Sequence, residues 1–236
     1  MSDSTQEDSN RIDPELFSFH FGKGVERGRV EARLNTRIPG VYVLCVDLCS
    51  YTAFVRETPD LKVATDIMRN FCDRSREVVL ASGGAVDRVT GDAIMAFWGL
   101  DDSVDYRVPL EASFRLLTIA EEIADEWQEE IDHVVSPRGA RAGLTFGEVA
   151  FIRVPSAYPS FSMHGDVVNL AARLEAIAPP GALYVSNRFR NLIRHDEEAG
   201  RDTGLELESL DDGDDREGII LKNLGSVHAF RIRARS

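Results

Sequence analysis

The chain has 236 residues, and its 40 acidic and 27 basic side chains give a formal net charge of −13 at pH 7. A chain of this length can bury a large core, and its apolar fraction of 43% is ordinary for a globular protein. The acidic balance argues against binding to nucleic acid or to an anionic membrane, because such binding needs Lys and Arg to neutralise phosphates. The three cysteines form no CxxC pair and the polar start is no signal peptide, so we expect a cytoplasmic protein without disulfides or a zinc site.

The N-terminal part of the chain is predicted to contain two segments. Residues 1–12 are rich in Ser, Asp, Gln and Asn, a composition that predicts disorder. Residues 13–36 form a predicted arm, with a helix over 25–34. The arm also carries three phenylalanines that alternate as in an extended segment: Phe17, Phe19 and Phe21. These rings need an apolar partner, either the domain's own surface or a second subunit, so the arm is a candidate regulatory element or dimer brace.

Residues 37–236 show the hydrophobic pattern of one folded domain. In chain order the pattern predicts a buried strand (41–48), a long helix (60–82), a hairpin (85–89 and 93–99), a second long helix (104–132) and two strands around Gly147 (141–154). The pattern then predicts a helix (164–178), a strand (182–186), a short helix (187–193), an acidic surface loop (196–217) and two last strands (218–222 and 227–233). This order predicts an α+β fold with a ferredoxin-like βαββαβ core sheet and helices on one face.

This topology predicts that two carboxylates form a candidate metal site. Asp47 ends the first strand, and Asp92 lies in the hairpin turn. In a split βαβ sheet the first strand lies beside the hairpin, so the two side chains are expected to approach each other. Like charges at such a distance need a cation, and carboxylate oxygens suit Mg²⁺ or Mn²⁺. For either residue alone, a hydrogen bond to nearby backbone is the competing interpretation.

A second constellation lies on the predicted helix over 164–178. Asn169 and Arg173 are four residues apart, so they share one helix face. Arg suits a phosphoryl group that gains charge, and an Asn amide can orient a ribose. An isolated pair of this kind is equally well explained as a solvated polar face.

Four segments, VDLCSYTAF, GGAVDRVTGDAIMAFWG, LTFGEVAF and HGDVVNLAARLEAIAPPGALYVS, resemble the class III nucleotidyl cyclase catalytic domain in order and spacing. The resemblance covers roughly residues 40–233. It implies a head-to-tail homodimer with its active sites at the subunit interface. One subunit would supply Asp47 and Asp92, which hold two divalent metal ions, Mn²⁺ or Mg²⁺, with help from the Leu48 carbonyl. The other would supply Asn169 to place the ribose and Arg173 to stabilise charge at phosphorus while the 3′-hydroxyl attacks and pyrophosphate leaves.

The base-reading positions depart from this family's purine patterns. Adenylyl cyclases carry a Lys four residues before the second metal aspartate and an Asp seven residues before the Asn, and this chain has Arg88 and Ser162 there. Guanylyl cyclases commonly have Glu at the first position, whereas Arg88 can only donate hydrogen bonds. Tyr51 stands where the family usually has Phe, and it would narrow the base pocket. Leu224 replaces a second, phosphate-binding Lys, for which Lys222 is a candidate substitute.

Uracil fits these positions best, because its O2 and O4 accept from Arg88 and Ser162 can serve N3–H or O4. Cytosine leaves its amino group unpaired unless Ser162 accepts it, guanine leaves N1–H and N2–H without an acceptor, and adenine lacks a carboxylate for its amino group. The chain resembles the stand-alone pyrimidine cyclases of bacterial Pycsar antiphage systems, which implies conversion of UTP to cyclic UMP and a separate effector protein. The alternatives are a cytidylate cyclase, an adenylate or guanylate cyclase with an atypical base pocket, and a non-catalytic nucleotide-binding domain.

Overall fold

A computed structural model of the chain describes residues 11–58, 60–132, 134, 136–154, 160–211, 218–221 and 224–235, with the backbone alone at 88–90 and 160. The helices are α1 (Pro14–His20), α2 (Arg27–Ala32), α3 (Tyr51–Glu57), α4 (Leu61–Ala81), α5 (Arg107–Glu130), α6 (Asp166–Ile177) and α7 (Asn187–Glu198). The strands are β1 (Thr36–Leu48), β2 (Ala85–Thr90), β3 (Ala93–Trp98), β4 (Ala140–Val154), β5 (Ser160–His164), β6 (Leu183–Ser186), β7 (Leu205–Ser209), β8 (Ile219–Leu221), β9 (Gly225–Val227) and β10 (Ala229–Ala234). None of the helices in these ranges is long and apolar enough to span a membrane.

The sheet has the strand order β2-β3-β1-β4-β6-β10-β7, with β5 paired to the far end of β4. The first four strands are antiparallel, and β3 and β1 lie between β2 and β4. This is the predicted ferredoxin-like βαββαβ core, so the α+β fold class is confirmed. Helix α6 then crosses over to β6, which is parallel to β4.

Both faces of the sheet are covered. Alternate residues of β1 point to opposite faces, and Val43 and Leu44 are both fully buried. The two long helices α4 and α5 pack with α7 on one side, here called the α5 face. Helix α6 and the N-terminal arm cover the other side, here called the α6 face. The predicted placement of the helices on one face is therefore correct for α4 and α5. Because the other side of β1 is also apolar, α6 and the N-terminal arm form a second layer that covers it.

Three strand predictions need correction. Residues 141–154 form one continuous strand rather than two, because Gly147 lies in the ladder opposite Val41. The sequence interpretation missed β5 and β9, and it placed β7 inside an acidic loop. Strand β7 is an edge strand whose alternating Leu and Glu pair with β10, and an ion pair between Arg233 and Glu208 joins the two strands. Residues 212–217 of that predicted loop lie outside the described residues.

The N-terminal arm is folded onto its own domain. The prediction of an extended segment over Phe17 and Phe19 is wrong, because Asp13 caps the first backbone N–H groups and Pro14 opens a helix. The helix predicted over 25–34 is confirmed as α2. Of the segment predicted to be disordered, residues 1–10 lie outside the described residues, whereas Ile12 is buried and its N–H donates to Glu31.

Helix α6 lies directly against the backbone of β4. A Cβ atom added at Gly143 would stand 2.2 Å from the Ala171 carbonyl oxygen, and one at Gly147 would stand 2.6 Å from Val167 Cγ1. Between them, the Thr145 hydroxyl donates to the Val167 carbonyl at 2.8 Å. Small or hydrogen-bonding residues at alternate positions of β4 thus allow the close approach.

We predict that Gly143→Ala displaces α6 and lowers the free energy of unfolding by about 1–3 kcal/mol, the usual cost of overpacking. Urea denaturation followed by circular dichroism measures this loss. Gly28→Ala is the matched control, because Gly28 is exposed in α2 with nothing within 4 Å of an added Cβ. That change should leave stability unchanged or raise it by about 0.5 kcal/mol. Equal effects of the two substitutions would contradict the account.

Candidate active site

The structure brings the two predicted metal aspartates together. Asp47 is opposite Ala93 in the β1–β3 ladder, and Asp92 directly precedes Ala93. The N–H of Leu48 donates to the carbonyl of Asp92 at 3.3 Å. Burial raises the pKa of the Asp92 carboxyl and the Asp47 charge raises it further, while Asp92's own backbone N–H and Arg141 oppose the shift. The two carboxylates are therefore close enough to repel each other.

Arg141 links this pair to helix α6. Its Nη2 lies 2.9 Å from Asp47 Oδ2, and its Nε lies 2.7 Å from Glu175 Oε1. The side chains of Asp47 and Glu175 are only 20% and 14% exposed. Burial raises the pKa of Glu175 from 4.5 to about 7, the Asp47 charge adds to the increase, and Arg141 counteracts it. One guanidinium thus compensates two largely buried acids.

The sequence interpretation missed Arg141 and Glu175. A signal was present in the alternation along β4, where Arg141, Gly143, Thr145 and Gly147 share the side that receives α6. An arginine on this side, at the strand end next to Asp47, needs an acidic partner. The identity of that partner depends on how α6 packs, which the local sequence does not specify.

Leu48 and Tyr51 lie beside the aspartates. Leu48 is buried at the end of β1. Tyr51 begins α3, its ring lies against Trp127 with centroids 5.7 Å apart, and its hydroxyl donates to the Ala64 carbonyl at 3.5 Å. Burial raises the pKa of Tyr51, and the Asp92 charge adds to this. The ring thus packs towards α4 and α5, and its proposed role in the base pocket stays a prediction.

Asn169 and Arg173 lie on the exposed side of α6. Within the described part of the chain, neither side chain makes a hydrogen bond or ion pair with Asp47 or Asp92. The reason is geometric: the side of α6 that carries Glu175 turns towards β4, so the side that carries Asn169 and Arg173 turns away. A single chain therefore presents the two predicted constellations separately.

The predicted base-reading residues lie on β2 and β5. Ser162 is buried on β5, opposite Ile152 of β4. The backbone of Arg88 pairs with Met95 of β3, and its side chain lies outside the described residues. Leu224 packs in a small apolar cluster with Leu221, and Lys222 lies outside the described residues.

Comparison with known proteins identifies the family of this arrangement. The family described as "Adenylate and Guanylate cyclase catalytic domain" matches residues 35–212. The chain belongs to this family. It is thus a nucleotidyl cyclase catalytic domain, and class III cyclases use divalent metal ions, bind nucleoside triphosphates and often dimerise.

Similar proteins include two bacterial adenylate cyclases. Adenylate cyclase 2 of Rhizobium meliloti (strain 1021) is 29% identical over 134 residues, which are 57% of this chain and 36% of that protein. The adenylate cyclase of Streptomyces coelicolor (strain ATCC BAA-471 / A3(2) / M145) is 27% identical over 174 residues, 73% of this chain and 39% of that protein. The chain thus spans well under half the length of both. The solved adenylyl cyclase CyaB from P. aeruginosa matches the fold with a TM-score of 0.70 and 19% identity, covering 84% of this chain and 95% of that one.

We predict that Arg141→Met lowers stability in a pH-dependent manner. Without the guanidinium, the pKa of Glu175 rises above the value of about 7 that it has in the intact protein, so the folded variant holds this proton to higher pH and loses stability relative to the wild type as pH rises above about 7. The loss in the free energy of unfolding should be about 1–2 kcal/mol. It is smaller than the loss from breaking a fully buried ion pair because Arg141 is partly exposed.

Urea denaturation in EDTA at pH 5 and pH 8 tests this prediction. The loss should be larger at pH 8, and Glu175→Gln in the Arg141→Met background should remove most of the difference. Arg37→Met is the control, because the Arg37–Glu148 ion pair is solvent-exposed and should contribute nothing measurable. A loss equal at both pH values would contradict the assigned pairing.

Proposed function

We propose that this domain is a uridylate cyclase that converts UTP to 3′,5′-cyclic UMP and pyrophosphate. The observation that carries the proposal is the pair Arg88 and Ser162, which replaces the Lys and Asp of adenylyl cyclases. The strands that carry them, β2 and β5, approach each other on the α6 face. The rest of the site supports the cyclase chemistry, and this pair supports the choice of base.

Asp47, Asp92 and the Leu48 carbonyl would hold the divalent ions. The donor set fits, because two adjacent carboxylates that repel each other are a hard-oxygen site for a divalent cation. Among the described residues there is no group of three or more His, Cys, Asp or Glu side chains that could hold a metal ion, so the proposal depends on this pair of carboxylates and the carbonyl. When bound, Mn²⁺ or Mg²⁺ would supply a lowered pKa for the ribose 3′-hydroxyl and charge compensation for the phosphates.

Arg141 acts behind these aspartates as a positioning residue. Its contact with Asp47 holds that carboxylate in one orientation, and Glu175 in turn fixes the guanidinium. Because both partners are largely buried, the carboxylate reaches the substrate already oriented.

Asn169 and Arg173 would act in the active site of the second subunit. Asn169 would orient the ribose so that its 3′-oxygen lies in line with the bond to the leaving pyrophosphate. Arg173 would stabilise the negative charge that builds up at the α-phosphate oxygens as the new bond forms. Their exposure on α6 supports this role, because in a head-to-tail homodimer each chain completes its partner's site.

Base selection follows from the hydrogen-bonding capacities at positions 88 and 162. The guanidinium of Arg88 would donate to the uracil carbonyls, and the Ser162 hydroxyl would serve N3–H or O4. The second candidate is ATP, favoured by the adenylate cyclases among the relatives. Arg88 and Ser162 disfavour it, because neither supplies the carboxylate that accepts from the adenine amino group. CTP, GTP and a non-catalytic nucleotide-binding role complete the alternatives.

The resemblance to pyrimidine cyclases of antiphage systems suggests a biological setting. In this proposal cyclic UMP is a second messenger of bacterial antiphage defence, and it activates a separate effector protein. The nucleoside triphosphate and a second copy of the chain are then the partners of the domain itself.

Incubation of the purified protein with Mn²⁺ and each of ATP, GTP, CTP and UTP tests this function directly. We expect cyclic UMP as the dominant product by mass spectrometry, and no product from Asp47→Ala with an unchanged circular dichroism spectrum. Cyclic AMP or cyclic GMP as the dominant product would overturn the assignment of the base. Equal turnover by Asp47→Ala would overturn the metal site.

Variants at the base-reading positions separate base selection from chemistry. Arg88→Ala and Ser162→Ala should each reduce the UTP-to-CTP ratio of kcat/KM by about tenfold, the contribution of a hydrogen bond to a charged or buried group. Arg37→Ala, which removes an exposed arginine from β1, should leave the ratio unchanged. An unchanged ratio in both base-site variants would show that other residues read the base.

A further inference from the structure

The end of helix α1 packs between the two strands that carry the proposed base-reading residues. Phe21 forms an isolated backbone bridge with Ala85 of β2. On the other side, the ring of Phe161 on β5 lies 4.7 Å from the His20 ring and 5.4 Å from the Phe21 ring, measured between centroids. Phe161 immediately precedes Ser162. His20 and Phe21 thus contact both strands at once.

His20 is hydrogen-bonded to the backbone of β2. Its Nδ1 lies 2.5 Å from the Val86 carbonyl oxygen. Burial lowers the pKa of His20, although the Val86 carbonyl and Asp87 oppose this, so burial favours the neutral ring. A neutral ring with its proton on Nδ1 donates to the carbonyl.

The bonded carbonyl lies at an irregularity in β2. Val86 pairs with Ala96 and Arg88 with Met95, so Asp87 is the extra residue of a β-bulge. Side chains alternate between the two faces of a strand. The extra residue shifts the pairing by one, so that position 88, and not position 87, shares a face of the sheet with Met95. The hydrogen bond from His20 therefore lies next to the feature that sets the register of Arg88.

The arm is also fixed to its own domain on either side of His20. Arg76 of α4 donates from Nε to the Phe19 carbonyl at 3.1 Å, and the N–H of Gly22 donates to the Gly84 carbonyl at 3.2 Å. A Cβ added at Gly22 would stand 2.0 Å from the Leu80 carbonyl oxygen, so only glycine allows this approach. His20 is held at β2 by contacts on both sides.

We propose that His20 is a positioning residue for base selection: it holds the bulge of β2 and the adjoining strand β5 so that Arg88 and Ser162 face the base. This inference rests on the proposed role of Arg88 and Ser162. Asp47 is on β1, and Asp92 is in the turn at the other end of β2 from Val86, so the effect of His20 falls on which nucleotide is used rather than on the chemistry at the phosphates.

Two substitutions separate the ring of His20 from its hydrogen bond. His20→Phe keeps an aromatic ring against Phe161 and removes the donor, whereas His20→Asn keeps a donor near the position of Nδ1 and removes the ring. His20→Phe should change the UTP-to-CTP ratio of kcat/KM by about three- to tenfold, the factor that one neutral hydrogen bond contributes. The change should appear mainly in KM, and His20→Asn should restore most of the ratio.

His195→Phe is the matched control, because His195 is exposed near the end of α7, on the α5 face. It should leave the ratio unchanged. Thermal unfolding of all variants, monitored by circular dichroism, shows whether a change in ratio accompanies loss of fold. A ratio in His20→Phe within about twofold of the wild type, or an equal loss with every nucleotide, would overturn the positioning role.

The outcome also distinguishes this inference from the function on which it rests. If Arg88→Ala shifts the nucleotide ratio and His20→Phe does not, the positioning role fails and the base assignment stands. If neither Arg88→Ala nor Ser162→Ala shifts it, the base assignment fails, and with it the inference. A wild-type protein that forms no cyclic nucleotide overturns both.

Discussion

The direct contact between helix α6 and strand β4 determines where the proposed functional residues of this domain lie. Gly143 leaves room for the helix backbone, and Thr145 binds its first turn by a hydrogen bond. The helix runs antiparallel to the strand, so its last turn brings Glu175 to Arg141 beside Asp47. The same packing turns Asn169 and Arg173 outwards. One contact thus orders both parts of the proposed site.

Much of the fold was predictable where local patterns agree with tertiary contacts. The buried strand β1, the amphipathic helices α4 and α5 and the hairpin with its Gly-Asp turn were all found, and the Asp47–Asp92 pair followed from the topology. The failures have physical causes. Gly147 is a strand glycine because a helix lies on it, and not because a turn occurs there. In the arm, the helix cap at Asp13 outweighs the alternating phenylalanines. Arg141 and Glu175 could not be paired without knowing how α6 packs.

The structure also separates the parts of the site by the elements that support them. Asp47 and Arg141 depend on the ends of β1 and β4, and Asp92 depends on the turn between β2 and β3, whereas the proposed base-reading positions lie on β2 and β5. The second pair of strands is braced by the N-terminal arm, which contacts both through His20 and Phe21. His20 contacts β2 at Val86, at the other end of the strand from Asp92, so under the proposed function the arm acts on base selection more than on chemistry at the phosphates.

The central claim is that one chain carries two complementary half-sites and that activity needs two chains. Mixing two inactive variants, Asp92→Asn and Asn169→Ala, tests it most directly. Random assortment gives heterodimers with one intact site, so activity should return to about a quarter of the wild-type value. A mixture of Asp47→Asn with Asp92→Asn, which damages the same half-site in both chains, should stay inactive. Failure of the first mixture to recover activity, with heterodimers shown by native mass spectrometry, would contradict the account.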